Sequence, residues 1–459
     1  MRDDAPQRTP VKIAHFRGEA GLWDAYLRSQ RNVLELIPEE AFEDWAVSAF
    51  SPTRSHLISE PAAVRRILQV RVEDYPKSEI ARAVLRPAIG ESMLVAEGAE
   101  WRRQRRAAAP AFTPKHVAGL GPVMSAAAER ASARVAAQAG RAADLLAEMI
   151  AATFEVISDV TFSGRGGMGR EVVERAIVAY GLAAGKMSFL DVIGAPDWVP
   201  RPARMRPDPE MAALHEQADG VVDARRGDTP SGAPDLLDLL LQAEGMDEDA
   251  LSARDIRDNL MTFIIAGHET TALTLAWALY LCGFDEEVQE RAREEACAVL
   301  GPRVATAADV DQMPYIRAVI DETLRLYPPA AFLSRMALEP DELAGAQVLP
   351  GDVVSVPTYA VHRHRRLWDR PDAFDPGRFA NGTPVGRYSY LPFGDGPRIC
   401  IGARFAIQEA VIILSTLLAR FRFRAVPGKA PQPTLIITLR PEGGVWLEVE
   451  PLDAGVGGT

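Results

Sequence analysis

Cys400 stands in the run Phe393-Gly394-Asp395-Gly396-Pro397-Arg398-Ile399-Cys400-Ile401-Gly402, at the mouth of an apolar helical stretch over 401–421. A helix N-terminus presents unpaired N–H groups and a positive dipole end, which favour thiolate over thiol. Gly394, Gly396 and Gly402 remove side chains where a bulky flat partner would lie against the backbone. From these residues two readings are open: a buried, inert cysteine, or a thiolate held against a haem iron.

Three more runs carry candidate chemistry. Ala266-Gly267-His268-Glu269-Thr270-Thr271 places small residues, an acid and an alcohol inside an apolar stretch over 261–284. Thr270 can bond back to a carbonyl one turn earlier and Gly267 weakens the local ladder, so a bulge or kink that lodges a diatomic molecule and water is expected. The rival is a polar helix patch bonded to its own backbone. A zinc-protease His-Glu-x-x-His fails, because Ala272 holds the second histidine position. Glu322 and Arg325 in Glu322-Thr323-Leu324-Arg325 lie one turn apart and can pair. Exposed, that pair would contribute under about 1 kcal/mol; the flanking Leu326-Tyr327-Pro328-Pro329-Ala330-Ala331-Phe332 points to burial instead. In Trp101-Arg102-Arg103-Gln104-Arg105-Arg106, Trp101 and Arg105 share a helical face and can meet one anion. A solvated basic face is the alternative.

The Cys400 run resembles the haem-ligand loop of the cytochrome P-450 family, Phe-x-x-Gly-x-x-x-Cys-x-Gly, with Phe393, Gly396, Cys400 and Gly402 at its fixed places. The other three motifs follow in the family's order, and the resemblance runs from about 43 to 449. It implies a mainly α fold with small β-sheets: a single haem domain of the bacterial soluble type over 21–459, after a polar, loose segment over 1–20. It also implies haem b, with Cys400 as axial iron ligand, Phe393, Gly394, Gly402 and Ala266 about the macrocycle, and Trp101, Arg105, Arg335 and Arg398 at its propionates. Such a thiolate pushes electron density onto iron and favours O–O cleavage. By position, Thr270 is the proton-relay alcohol and Glu269 its acid partner. Glu322, Arg325 and the Arg378 of Arg378-Phe379 form a pairing that locks the core. Gly377 departs from the pattern, since many members carry glutamate there, and is expected to loosen this network without touching the iron site.

The implied activity is a monooxygenase that inserts one oxygen atom from O2 into a lipophilic small molecule. A peroxide-driven hydroxylase shares the haem loop but lacks the acid–alcohol pair seen here as Glu269-Thr270. A non-enzymatic haem binder or gas sensor should carry an output domain, and none is visible.

The elements that must position these groups are mostly helical by periodicity. A strand is expected at Arg54–Ile58, then a helix over 61–69, alanine-rich helices over 124–139 and 142–162, loops over 194–209 and 227–234, and a helix from Asp235 onward. Strand-like runs cluster late, at 347–349, 353–357, 435–439 and 445–449. The 261–284 stretch is long enough for a bilayer, but a mid-membrane carboxylate is expensive, so a buried core helix is expected.

In 459 residues, 47% are hydrophobic and 25% charged, the mix of an ordinary globular protein. A net charge of −12 argues against nucleic acid as the main partner. Three cysteines, Cys282, Cys297 and Cys400, make neither a disulfide scaffold nor a zinc module, which suggests a reducing compartment. The N-terminus lacks the apolar core of a signal peptide or membrane anchor, so a cytoplasmic protein is expected. With no flavin, iron–sulfur or dinucleotide-binding run in view, ferredoxin and ferredoxin reductase are the expected electron donors. Arg102, Arg103, Arg106 and Arg404 would face outward as their basic docking patch. The candidate substrate walls are apolar: Leu85, Phe189, Ile265, Ala330, Phe332 and Ile437. Val84 and Met187 read as core packing. Such a lining suits a fatty acid, terpenoid or steroid-like compound.

Overall fold

The computed structural model describes residues 9–18, 21–50, 54–184, 208–227, 234–245, 250–380 and 385–452. The helices that position the site are α1 (Glu79–Ile89), α2 (Gly98–Ala108), α3 (Gly121–Ala136), α4 (Leu145–Phe162), α5 (Arg170–Ala184), α6 (Pro209–Arg226), α7 (Ala253–Phe284), α8 (Glu286–Leu300), α9 (Pro314–Leu326) and α10 (Ala403–Arg420).

α7 is the axis of the molecule. Ser252 and Asp255 start it with a reciprocal capping box, Asp255 N–H donating to Ser252 Oγ at 3.1 Å and Ser252 N–H to the Asp255 carboxylate at 2.8 Å. From Leu260 onward nearly every side chain of α7 is buried, against α4, α9 and α10. Gly267 sets the closest approach to α4: a Cβ there would stand 3.0 Å from Ile157 Cδ1. Trp277, fully buried, stacks on Tyr327 at 3.9 Å between centroids and joins α7 to the end of α9. Truncating so large a buried ring costs about 3–5 kcal/mol. The 261–284 stretch is therefore a core helix, and among the described residues no helix is long and apolar enough to cross a membrane.

The strands are β1 (Ala46–Phe50), β2 (Arg54–Ile58), β3 (Ala142–Asp144), β4 (Leu333–Met336), β5 (Asp341–Leu343), β6 (Ala346–Val348), β7 (Val353–Val356), β8 (Phe421–Ala425), β9 (Gln432–Leu435), β10 (Leu439–Glu442) and β11 (Trp446–Pro451). They form one four-stranded sheet in the order β1-β2-β7-β4, a three-stranded sheet β3-β11-β8, and the pairs β9–β10 and β5–β6. β2 and β7 run parallel, and the other pairings are antiparallel. This is the mainly α architecture with small sheets that the sequence leads one to expect.

Local expectations shift in three places. The 142–162 run divides, because residues 142–144 pair with β11 and Asp144 then caps Leu146 N–H at 3.1 Å, starting the helix at Leu145. The 435–439 run is not a strand: Leu435 pairs with Leu439 across a turn made of Ile436, Ile437 and Thr438. β-Branched residues there satisfy strand propensity, but burying both leucines in register forces the chain to reverse between them. The third is the N-terminal segment, where residues 9–18 are pinned rather than loose. Val11 N–H donates to Tyr280 Oη at 3.0 Å, and Tyr327 Oη donates to the Val11 carbonyl at 2.6 Å. The 194–209 loop, but for its last two residues, and most of the 227–234 loop lie outside the described residues.

Candidate functional site

The loop before α10 is fixed by its own backbone. Cys400 N–H donates to the Phe393 carbonyl at 2.9 Å and Ile399 N–H to that of Gly396 at 3.1 Å. Gly396 has φ +71°, and a Cβ on it would stand 2.0 Å from the Leu68 carbonyl oxygen, so only glycine fits. Asp395 is clamped by Arg387 through two hydrogen bonds of 2.8 and 2.9 Å. Cys400 lies three residues before the first helical residue, on the wall of a cavity of about 550 Å³. Its thiol is pushed up by burial, against the pull of the Gly402 N–H and of Arg105. Burial and the helix terminus thus pull the thiol in opposite directions. A metal cation at the sulfur would supply the missing stabilisation.

Four cationic side chains line the same cavity: Lys77, Arg105, Arg335 and Arg398. Arg398 lies 4.1 Å above the Trp101 ring, donates to the Ala96 carbonyl at 2.9 Å and pairs with Glu97. Burial depresses all four, Arg335 to about 10 with Glu97 opposing, and Lys77 to about 7 with help from Arg398 and Arg335. Glu97 is the carboxylate within ion-pair distance of Arg398 and of Lys77. Buried positive charge in such excess is costly unless an anion completes it. A group carrying two carboxylates fits this edge, and the glycine cradle around Cys400 fits a flat macrocycle. Sequence reasoning missed Lys77 and Glu97, which stand in no recognisable motif.

α7 forms another wall through Ala266, Gly267, Glu269 and Thr270. Thr270 Oγ1 donates to the Ala266 carbonyl at 2.9 Å, as its position suggests. The expected bulge is absent, since α7 stays α-helical through this stretch. Gly267 admits Ile157 rather than opening the ladder. Glu269 points to the β9–β10 turn, where Thr438 Oγ1 donates to its Oε1 at 3.0 Å and Arg440 Nε stands 3.7 Å away. Beside Thr271, the buried Glu409 of α10 faces the threonine hydroxyl.

A family model, Cytochrome P450, matches residues 40–447. The chain belongs to the cytochrome P450 family. Similar proteins include the cyclooctatin synthase of Streptomyces melanosporofaciens, 31% identical over 91% of both chains. The same organism's cyclooctat-9-en-7-ol 5-monooxygenase is 31% identical over 93% of both. A cytokinin hydroxylase of Arabidopsis thaliana is 30% identical over 86% of this chain and 78% of its own. The protein is thus an oxygenating oxidoreductase with a haem-thiolate cofactor.

In this P450 the Glu322–Arg325 pair is wholly buried, with two hydrogen bonds of 2.6 and 2.7 Å. Arg325 also donates to the carbonyls of His362, Pro371 and Ala373, and Asp375 N–H donates to Glu322. Arg378 stands 3.4 Å from Glu322 and donates to the Arg370 carbonyl at 2.8 Å. Gly377, in place of a side-chain acid, only offers its N–H to Asp375 at 3.0 Å.

The expected basic patch loses one member. Arg103 turns inward to Asp255 at 2.8 Å and ties α2 to the start of α7, because a buried helix-capping carboxylate is a stronger partner than water. Arg102 pairs with Glu73 at 3.0 Å, while Arg106 and Arg404 are exposed. Leu85, Ile265, Ala330, Phe332 and Ile437 line the cavity. Phe189 and Met187 lie outside the described residues. Val84 is not part of that wall; its carbonyl accepts from Tyr180 Oη.

Proposed function

We propose that this P450 is a haem b monooxygenase that hydroxylates a lipophilic, terpenoid-like molecule with electrons from a ferredoxin and its reductase. The observation that carries it is the convergence, in one apolar-walled cavity, of Cys400, the surplus of cationic groups at its edge and the Glu269–Thr270 pair. Bound through the Cys400 thiolate, the haem would supply O2 activation and the insertion of one oxygen atom into a C–H bond. Arg105, Arg335, Arg398 and Lys77 would hold its propionates, with Trp101 stacked beneath Arg398. Thr270 would hold and pass a proton at Oγ1, drawing it from Glu269 through ordered water. Ile265, Leu85, Ala330 and Phe332 would orient the substrate and exclude bulk water. Glu322, Arg325 and Arg378 keep the surrounding backbone fixed. Two relatives, named cyclooctatin synthase and cyclooctat-9-en-7-ol 5-monooxygenase, support a cyclic, lipophilic substrate. Arg102, Arg106 and Arg404 offer the donor a basic face on an acidic protein, and three free cysteines suit the cytoplasm.

The test is a carbon-monoxide difference spectrum of the reduced protein, then a screen of cyclic terpenoids and fatty acids for spin-state shifts, then turnover with a surrogate ferredoxin system or with peroxide alone. A thiolate-type spectrum, a terpenoid-induced shift and ferredoxin-dependent turnover are expected. A histidine-type spectrum or peroxide-only turnover overturns the reading. Thr270→Ala should keep both spectra yet lower product formed per NAD(P)H about tenfold or more, the usual weight of a positioned proton donor. Full coupling in that variant would remove Thr270 from the relay.

A further inference from the structure

The proton-delivering acid proposed above is tied to the wrong neighbour for delivery. Glu269 Oε1 accepts from Thr438 Oγ1 at 3.0 Å, and Arg440 Nε stands 3.7 Å from the same oxygen. Thr270, the alcohol it would serve, is bonded to its own helix at the Ala266 carbonyl. Thr438 and Arg440 flank Leu439 at the start of β10, and Thr438 ends the three-residue turn that carries Ile437.

That hairpin is anchored along β9 and up to the Leu435–Leu439 pair that closes its turn, and the turn itself carries Ile437. Asn32 bridges it by donating to the Pro433 carbonyl at 2.7 Å and accepting from Leu435 N–H at 3.0 Å. Leu439 N–H donates to the Pro329 carbonyl at 3.0 Å, and Trp277 Nε1 donates to the Leu439 carbonyl at 3.3 Å. Beyond those bonds Ile437 is 36% exposed, although it lines the cavity beside Glu269 and Thr438. A lipophilic molecule in the cavity would gain by packing on this side chain, and such packing would bear on the turn that holds the acid.

We propose that Thr438 and Arg440 form a latch that holds Glu269 on the hairpin tip, and that substrate packing on Ile437 releases the carboxylate toward Thr270. The inference rests on the reading of Glu269 as the relay acid. Without substrate the latch withholds protons, so bound O2 is not reduced wastefully. When it fails, each O2 leaves as H2O2, taking two electrons from NAD(P)H through the electron-donor proteins and two protons through Glu269. Thr438 and Arg440 are positioning residues, since they act through Glu269.

The test is substrate-free NAD(P)H oxidation and peroxide release in Thr438→Val and Arg440→Gln, with Thr438→Ser as the conservative rescue. The two latch variants should leak about tenfold more than the parent, the factor a hydrogen bond to a charged group commands. Thr438→Ser should restore the parent rate. Infrared difference spectra against Glu269→Gln, on the resting protein without turnover, should show the carboxylate band shifted in Thr438→Val and unshifted in Thr438→Ser. An unchanged leak with an unshifted band overturns the latch. The double variant Glu269→Gln/Thr438→Val separates the two ideas. Its leak should return to the parent level; a persisting leak shows that protons bypass Glu269, which overturns the reading of the acid.

Discussion

The cysteine loop and the acid–alcohol segment share one cavity and are held in opposite ways. Around Cys400 the backbone does the holding, through the bond to Phe393 and the glycine-only contact of Gly396 with Leu68. Ahead of that loop Leu391 N–H donates to His362, whose carbonyl is held by the buried Arg325. Around Glu269 one hydroxyl and one guanidinium at 3.7 Å do it, the first on the turn and the second in the adjoining strand of a two-stranded hairpin. A metal ligand needs its geometry over-determined, whereas a wall that admits substrate and protons must be able to rearrange. The difference predicts that equal chemical insults will have unequal effects on the two sides.

The largest effect is expected at Arg325. Arg325→Met leaves the buried Glu322 with only the Asp375 N–H and Arg378 at 3.4 Å, and should lower unfolding free energy by about 3 kcal/mol. On the opposite side Glu269→Gln should cost under about 1 kcal/mol, because its ionic partner is partly exposed and distant. Urea unfolding of both variants checks the comparison, and similar losses would break it.

Next come two glycines that look alike in sequence. Gly396→Ala must force a Cβ into a backbone oxygen at positive φ, a loss of at least about 2 kcal/mol that also displaces Cys400. Gly267→Ala meets a side chain instead, Ile157 Cδ1 at 3.0 Å and Cγ1 at 3.1 Å, and should cost about 1 kcal/mol. Ile157→Val, which removes Cδ1 but keeps Cγ1, should recover part of the second loss and none of the first. Thermal unfolding of the four variants reads this directly.

The sequence was most legible where chemistry depends on the backbone. The Cys400 frame is legible because its fixed places answer to the backbone, most sharply at Gly396, where a Cβ would meet the Leu68 carbonyl oxygen. The partners that Arg325 holds besides Glu322 could not be read in the same way, since they are carbonyls, which every residue carries. Lys77, Glu97, Thr438 and Arg440 were invisible for a related reason: tertiary packing alone brings them to the cavity, and no local spacing marks them. The turn at 436–438 was misread because β-branched residues signal a strand even where register demands a reversal. Arg103 was misplaced because a basic run shows no face until the helix docks on Asp255.

Lys77 sharpens the comparison through pH. Burial and two arginines hold its ammonium down at about 7, so above that pH the folded apoprotein carries a neutral amine. Carboxylates of an incoming haem would restore the charge, and binding then takes up a proton. Affinity should therefore be flat below about pH 7 and weaken above it, by up to about tenfold per pH unit. Haem titration of the apoprotein across that range should show the slope, and Lys77→Met should abolish it.

The smallest effect is expected at Glu409, which sits on the helix after the cysteine loop but behaves like the looser side. Burial holds its carboxyl well above the ordinary 4.5, against the weaker pull of the Thr271 hydroxyl that faces it. The folded state therefore keeps a proton that the unfolded chain releases above its ordinary value, so this group's support is full below about 4.5 and is lost as pH rises. Glu409→Gln removes that dependence while preserving shape. The variant should match the parent near its acid limit and gain on it toward neutral pH, with urea midpoints at the two ends as the measure. A loss that grows with pH instead would mean that the carboxylate is ionised in the fold, and that α10 holds a charge facing Thr271.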